Sequence, residues 1–323
     1  MTKDEEKQIL EMSKTLSGEI KISLVETEHQ KSRDFKEFCD SLIRLAPNIQ
    51  VQKIDGKPDK APFIQIGENI RFQALPTGTK LGPFLEALTL GESKTSILSE
   101  SMQYKLCRME IPAILDIYVA PQCKFCAAAI RQVLPLVKIN SRIQLGIKDC
   151  TQFPELVEKA DIRSVPTMVL DDRFRWTGAV ELEELLEIIL DRDPRMLGPT
   201  SLEMILKDGN AHQLAAMMLE KNDIFPAFYD LLTHDQWPVR LGAMVVMEEL
   251  ISTNLKLAVR VQDPLWKRFL HAPEQTQGDI LYIFGELGQK NVIPALESVL
   301  GGQYNIEVKE AAGEALDKLQ KRQ

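Results

Sequence analysis

Two places in the chain set a proline directly ahead of a short apolar run, Ala61-Pro62 before Phe63-Ile64-Gln65-Ile66 and Val165-Pro166 before Thr167-Met168-Val169-Leu170. Proline gives no amide hydrogen to a ladder, so it is confined to the first residue of such a strand, and the bond before it is open to the cis form. The residues around each proline follow one plan. The first unit reads as a strand at Ile20 to Val25, a helix at Ser32 to Leu45, a strand at Ile49 to Ile54, the run after Pro62 and a helix at Leu81 to Leu88. The second reads as a strand at Ala113 to Val119, a helix from Cys123 to Ile139, a strand at Ile143 to Lys148, a short helix near Phe153 to Ala160, the run after Pro166 and a helix at Glu181 to Leu190. Short β-prone runs alternating with longer helical periods, repeated in order, indicate an internal duplication of an α/β unit. Gly91 to Lys105 reads as a polar linking helix between the copies.

From about residue 200 the pattern is all-α, with apolar residues at three- and four-residue spacing and no convincing strand. Pro194, Gly198 and Pro199 break the chain before it. Pro226, Pro264 and Pro294 each open a short helix with an apolar pair five and six positions on: Leu231-Leu232, Phe269-Leu270 and Val299-Leu300. A second helix follows each, in which Val239, Thr276 and Val308 match, then Arg240, Gln277 and Lys309, then Ala243, Ile280 and Ala312, then Leu250, Leu287 and Leu319, at spacings of 37 and 32 residues. Helix pairs of this period resemble HEAT repeats, which bury their apolar faces only by stacking about three copies. Residues 200 to 221 are expected to add a capping pair. The division expected is therefore 1–105, 106–195 and 196–323, α/β twice and then all-α.

The 39 Lys and Arg against 47 Asp and Glu give a net charge of −8 with no basic cluster, which argues against nucleic acid or anionic lipid as a partner. The chain has no uncharged apolar run of 18 residues, and the opening Met-Thr-Lys-Asp-Glu-Glu-Lys leads into no signal-like segment, so a cytoplasmic protein with no membrane partner is expected. Five cysteines are too few for a disulfide scaffold and cannot all pair within one chain, which fits a reducing compartment.

A cysteine pair then needs a chemical reason. Cys123-Lys124-Phe125-Cys126 stands where the strand Ile114 to Val119 ends and a helix begins. There the first sulfur meets unpaired backbone N–H groups and the positive end of a helix dipole, and Lys124 adds charge, all of which favour thiolate. Such a cysteine attacks a disulfide and its neighbour resolves the mixed disulfide, which assigns Cys123 as nucleophile and Cys126 as resolving thiol. A metal site is the first competitor, but no second Cys-x-x-Cys exists and His29, His212, His234 and His271 all lie far off in sequence. A purely structural disulfide is the second, disfavoured where thiols stay reduced.

Cys-x-x-Cys after a strand, Val165-Pro166-Thr167 before another and Thr177-Gly178 before the last helix resemble the thioredoxin and glutaredoxin superfamily, with Phe125 closer to glutaredoxin-like motifs. Residues 5 to 190 are similar to the tandem thioredoxin-fold module at the N-terminus of the alkyl hydroperoxide reductase flavoprotein subunit, and to the two-unit protein disulfide oxidoreductases. Ala61-Pro62 and Arg71-Phe72-Gln-Ala-Leu-Pro76-Thr-Gly78 carry the likeness to its degenerate first half. The resemblance implies that Ser164-Val165 pairs its backbone with a protein disulfide substrate, with Val165, Pro166, Lys124 and Phe125 as binding residues. It also implies recharging by a thioredoxin-reductase-like flavoprotein, since no Gly-rich dinucleotide loop or other cofactor motif is present.

The sequence departs from the family pattern in three ways. Gln122 stands where thioredoxins carry tryptophan, their buried acid falls at Ile117, and Asp116 one step away should face the other side of the strand. The first unit has no cysteine at the matching place, which suits a docking or scaffolding half, and His29 near that point reads as a solvated loop residue. Cys39, Cys107 and Cys150 belong to no motif; Cys150 is either a regulatory thiol or, as lone cysteines more often are, a small packed hydrophobe. Met204, Met217, Met218, Met244 and Met247 read as core filling, and Trp237 and Trp266 as either exposed anchors or packing between repeats. The expected function is thiol-disulfide exchange with a helical-repeat region that binds a protein partner. The alternatives are a redox-switched interaction protein and an electron donor to a peroxiredoxin.

Overall fold

The computed structural model describes residues 1–58, 60–91 and 98–321. The chain forms two units, Met1–Arg192 and Asp193–Gln323. The first has helices α1 (Lys3–Thr15), α2 (Ser32–Leu45), α3 (Leu81–Leu88), α4 (Glu100–Cys107), α5 (Cys126–Ile139), α6 (Pro154–Lys159) and α7 (Leu182–Asp191). Its strands are β1 (Ile20–Glu26), β2 (Ile49–Asp55), β3 (Phe63–Ile66), β4 (Ile70–Gln73), β5 (Ala113–Val119), β6 (Ile143–Asp149), β7 (Thr167–Leu170) and β8 (Phe174–Thr177). All eight lie in one sheet of order β2-β1-β3-β4-β6-β5-β7-β8. Each half repeats the arrangement of the other, a parallel pair followed by two antiparallel steps, and the parallel β4–β6 contact, Ile70 opposite Leu145 through Gln73 opposite Lys148, joins them.

Strand side chains alternate between faces, so every second residue enters the core. Ile22, Leu24, Ile64, Phe72, Leu145, Leu115, Ile117 and Leu170 do so, meeting Phe35, Leu42, Phe84, Ile130, Val133 and Ile189 from the helices in one cluster that spans both halves. Phe84 stands edge-on to both Phe38 and Phe72, at centroid distances of 5.5 and 5.1 Å, an arrangement that suits the ring quadrupole.

Three elements lie outside the expected pattern. Helix α1 has few apolar residues, but it carries a capping box in which the Thr2 hydroxyl accepts from the Glu5 N–H and the Glu5 carboxylate accepts from the Thr2 N–H. Strands β4 and β8 are only four residues long and return through tight turns, with Gly67 in one and Asp171-Asp172 in the other at positive φ. Helix α5 starts at Cys126, three residues later than expected, because Phe125 takes the cap position. The expected linking helix is seen as α4; residues 92–97 of it lie outside the described residues. Val165–Pro166 is cis, whereas Ala61–Pro62 is not among the cis bonds of the described residues.

The second unit is made of helix pairs: α8 (Pro199–Lys207) with α9 (Ala211–Lys221), α10 (Phe228–Leu232) with α11 (Trp237–Thr253), then, after the short α12 (Leu255–Ala258), α13 (Gln262–Phe269) with α14 (Glu274–Leu287) and α15 (Ile293–Gly301) with α16 (Ile306–Lys321). The matched positions Val239, Thr276 and Val308, Ala243, Ile280 and Ala312, and Leu250, Leu287 and Leu319 are all buried, as are Arg240 and Gln277, while Lys309 is half-buried. Buried Arg240 ties two pairs together through its Nε, 2.6 Å from Asp279 Oδ2, and gives Nη1 to the His234 and Asp235 carbonyls. Trp266 stacks on Phe269 at 4.8 Å as core packing, but Trp237 stands exposed. Among the described residues no helix is long and apolar enough to cross a membrane.

Candidate redox site

Strand β5 delivers the motif. After Val119 the chain turns, the Cys123 N–H donates to the Ala120 carbonyl at 3.1 Å, and Cys123 and Cys126 form a disulfide with their Cα atoms 5.5 Å apart. The two sulfurs have different surroundings. Cys126 opens α5 and is fully buried, whereas Cys123 lies in the loop before it and is half-buried. That asymmetry is what a dithiol needs if one thiol is to meet a substrate and the other to wait behind it. Lys124 is exposed and Phe125 is 73% exposed, held out by the turn instead of packing inward.

Phe125, between the two cysteines in sequence, and Pro166 line one apolar cleft of ≈ 570 Å³ together with Ala128, Gln132, Val165 and Ala179, among others. Two bonds hold its far wall: the Thr167 hydroxyl donates to the Ser164 carbonyl at 2.8 Å and the Gly178 N–H donates to the Pro166 carbonyl at 2.8 Å. Gly178 sits at φ 86°, where a side chain would be strained. Ser164 is exposed and Val165 half-buried; the structure brings Phe125, Val165 and Pro166 to one cleft, and Cys123, Cys126, Lys124 and Ser164 are outside its lining.

Ile117 points into the core that also contains Cys126, and Asp116 faces the opposite side. Its carboxylate accepts from Lys148 Nζ at 2.6 Å, and Gly146 opposite leaves it room, since a Cβ there would come within 2.2 Å of Asp116 Oδ1. Burial pushes the Asp116 carboxyl above its ordinary range, with the Lys148 ammonium acting against it. Cys150 packs on this same far face against Tyr118, Ile162 and Val169, and burial pushes its thiol up to about 11. Cys39 is buried within α2 and pushed up to about 12; Cys107 is exposed.

At the matching place in the first half, Ser32 opens α2 as Cys126 opens α5. Its hydroxyl accepts from the Thr27 N–H and donates to the Thr27 carbonyl, closing the turn without sulfur. His29 is not a solvated loop residue: it is half-buried, its ring 5.3 Å from Phe153 and its Nδ1 accepting from the Lys31 N–H. The sequence reading missed one constellation. Lys80 and Asp149 are both buried and their Nζ and Oδ2 lie 2.5 Å apart. Burial raises the Asp149 carboxyl, but the bonds from Lys80 and Thr151 outweigh that and hold it below its ordinary value. A lysine in a Gly-Thr-Lys turn looks exposed by composition, and only its partner, 69 residues on, makes it otherwise. Among the described residues no group of three His, Cys, Asp or Glu side chains is placed to hold a metal ion.

Comparison with known proteins agrees with this geometry. A thioredoxin-domain family profile matches residues 114–191. Two curated relatives, both called NADH dehydrogenase, come from Ferdinandcohnia aciditolerans and Bacillus subtilis; they are 21% and 19% identical over 60% and 55% of this chain, which spans 37% and 36% of their length. The chain thus covers little more than a third of these relatives. Among solved structures, the NTD_N/C domain of the alkylhydroperoxide reductase AhpF from Enterococcus faecalis superposes with a TM-score of 0.51 at 19% identity, covering 58% of this chain and 99% of that domain. A protein disulfide oxidoreductase from Aeropyrum pernix does so with a TM-score of 0.51 at 12% identity, over 58% of this chain and 91% of its own. The first unit therefore has the fold of a tandem thioredoxin-fold module, and the chain continues from it into helix pairs.

Proposed function

We propose that the protein is a dithiol–disulfide oxidoreductase acting on protein disulfides through Cys123 and Cys126, with residues 1–105 as a non-redox half, 106–195 as the redox half and 196–323 as a partner-binding repeat region. The observation that carries this reading is the half-exposed Cys123 beside the buried Cys126, in a motif whose Phe125 shares an apolar cleft with Pro166. The Cys123 thiolate attacks one sulfur of a substrate disulfide, that S–S bond breaks, and the released substrate thiolate takes a proton. Cys126, losing its own proton, then attacks Cys123 Sγ and expels the second substrate thiolate. The substrate leaves reduced and the protein holds its disulfide. Pro166 and Val165 shape the wall along which an extended substrate segment lies, and Phe125 offers it an apolar contact.

The oxidised pair then needs two electrons. A flavoprotein of the thioredoxin-reductase kind is the donor proposed, in a reducing compartment such as the cytoplasm, and a peroxiredoxin is a second candidate acceptor, supported by the likeness of the first unit to the alkylhydroperoxide reductase domain. Disulfide reduction of insulin under dithiothreitol tests the reading. Wild type should accelerate it and Cys123→Ser should not. Retained turnover in the Ser variant removes the assignment, and no turnover in wild type, with partner binding that depends on oxidation, favours a redox switch.

A further inference from the structure

The first half of the module has no dithiol of its own, yet it sends a charged side chain to the strand end from which the dithiol loop of the second departs. Gly78, Thr79 and Lys80 form a single turn before α3 that packs against α5, the helix opened by Cys126. The Thr79 hydroxyl donates to the Pro121 carbonyl at 3.5 Å, two residues from Cys123. Lys80 then reaches Asp149, which stands opposite Val119 in the β5–β6 register, at the strand end from which the cysteine loop departs. Val119 enters the same core as Cys126, and Asp149 pairs with it in register, so the alternation of the strands places the carboxylate on that face. Further bonds fix the pair: Asp149 Oδ1 accepts from the Thr151 and Gln152 N–H groups, the Leu75 N–H donates to Gln152, and the Gly78 N–H donates to Glu5 of α1 at 2.6 Å. No solvent screens this pair, for Lys80 and Asp149 are 2% and 0% exposed. Other charges on these elements include Glu5 and the largely exposed remainder of α1, the half-exposed Arg131–Glu86 pair between α5 and α3, Lys138 at the far end of α5, the Lys148–Asp116 pair on the opposite face of the sheet, and exposed Lys124.

We infer that Lys80, supplied by the half without a dithiol, is a positioning residue for the redox pair, and that the Lys80–Asp149 ion pair sets the balance between dithiol and disulfide at Cys123–Cys126. The inference rests on the exchange reaction proposed above. An ammonium here stabilises developing thiolate and so the reduced form, whereas a lone carboxylate here does the reverse.

Opposite charges make the test one of sign. The equilibrium of each protein with a dithiothreitol or glutathione couple is measured at pH 7 for wild type, Lys80→Met, Asp149→Asn and the double variant, with folding followed by near-ultraviolet circular dichroism. Lys80→Met should shift the equilibrium about tenfold toward disulfide and Asp149→Asn about tenfold toward dithiol, roughly 30 mV each for a two-electron couple, with the double variant within about threefold of wild type. Loss of packing alone would move both single variants the same way. Shifts of one sign, or none beyond about threefold, overturn the inference. If Lys80→Met does not fold, the nearly isosteric Asp149→Asn decides: a shift toward dithiol supports the inference, and no shift overturns it. A wild-type protein whose pair exchanges with neither couple refutes the reaction itself, a different outcome from normal exchange with no response to the charges.

Discussion

Replacing Phe125 with alanine separates recognition of a protein substrate from the chemistry of the sulfurs. The ring is 73% exposed and lines the cleft shared with Val165 and Pro166. A phenylalanine side chain carries about 200 Å² of surface, so about 150 Å² is free to be covered. At ~25 cal/mol per Å², complete cover is worth about 3.7 kcal/mol. An extended peptide passing over one face of the ring takes about half of that, ~1.8 kcal/mol, and at ~1.4 kcal/mol per decade the expected loss in kcat/KM is about 20-fold. The assay compares two substrates for wild type and Phe125→Ala: insulin, whose chains are long enough to lie along the cleft, and a small aliphatic disulfide with no chain to lie there. The loss should appear with insulin and stay below about threefold with the small disulfide. An equal loss with both would mean that Phe125 acts on the cysteines, and no loss with either would mean that substrate does not lie in this cleft.

Further expectations follow from particular residues. With the disulfide intact at neutral pH, an alkylating reagent should modify exposed Cys107 first and Cys150, at about 11, slowly, while Cys39, at about 12 and buried, reacts only on unfolding; mass spectrometry of the labelled peptides checks the order. Because the Asp149 carboxyl is held below its ordinary value of 3.8, its stabilising contribution is complete above that pH and is lost as pH falls below it through the folded value. Asp149→Asn should therefore flatten the acid side of the stability–pH curve, and an unchanged acid limb in urea titrations refutes the assignment. In the second unit, Arg240→Met removes the ion pair and two carbonyl contacts and should cost about 3 kcal/mol. Asp279→Asn leaves a neutral acceptor and should cost about 1 kcal/mol, so equal losses in urea unfolding would deny Arg240 its place between the helix pairs.

Much of this was legible because periodicity and breakers are local signals. The proline before each of two apolar runs, the apolar β-prone runs of β1, β3, β5 and β7, and the matched positions of the helix pairs each depend on neighbours a few residues away, and burial follows them. Strands β4 and β8 were not legible: Ile70–Gln73 and Phe174–Thr177 mix apolar with polar residues, have no proline directly ahead of them, and exist by pairing with β3 and β7. The capping box at Thr2 and Glu5 was a readable sign of α1 that the apolar count obscured.

The sequence by itself determined the order of elements, the duplication, and the dithiol at a strand-to-helix turn, because backbone propensity, hydrophobic period and the spacing of two sulfurs are all properties of short segments. Tertiary structure decided everything that depends on distant residues meeting. It joined the two halves through β4 and β6 into one sheet, brought Phe125 and Pro166 to one cleft, and packed half-buried His29 against buried Phe153. Above all it buried Lys80 against Asp149. An isolated lysine in a turn belongs in water, and only a carboxylate brought to it by the fold makes its burial tolerable.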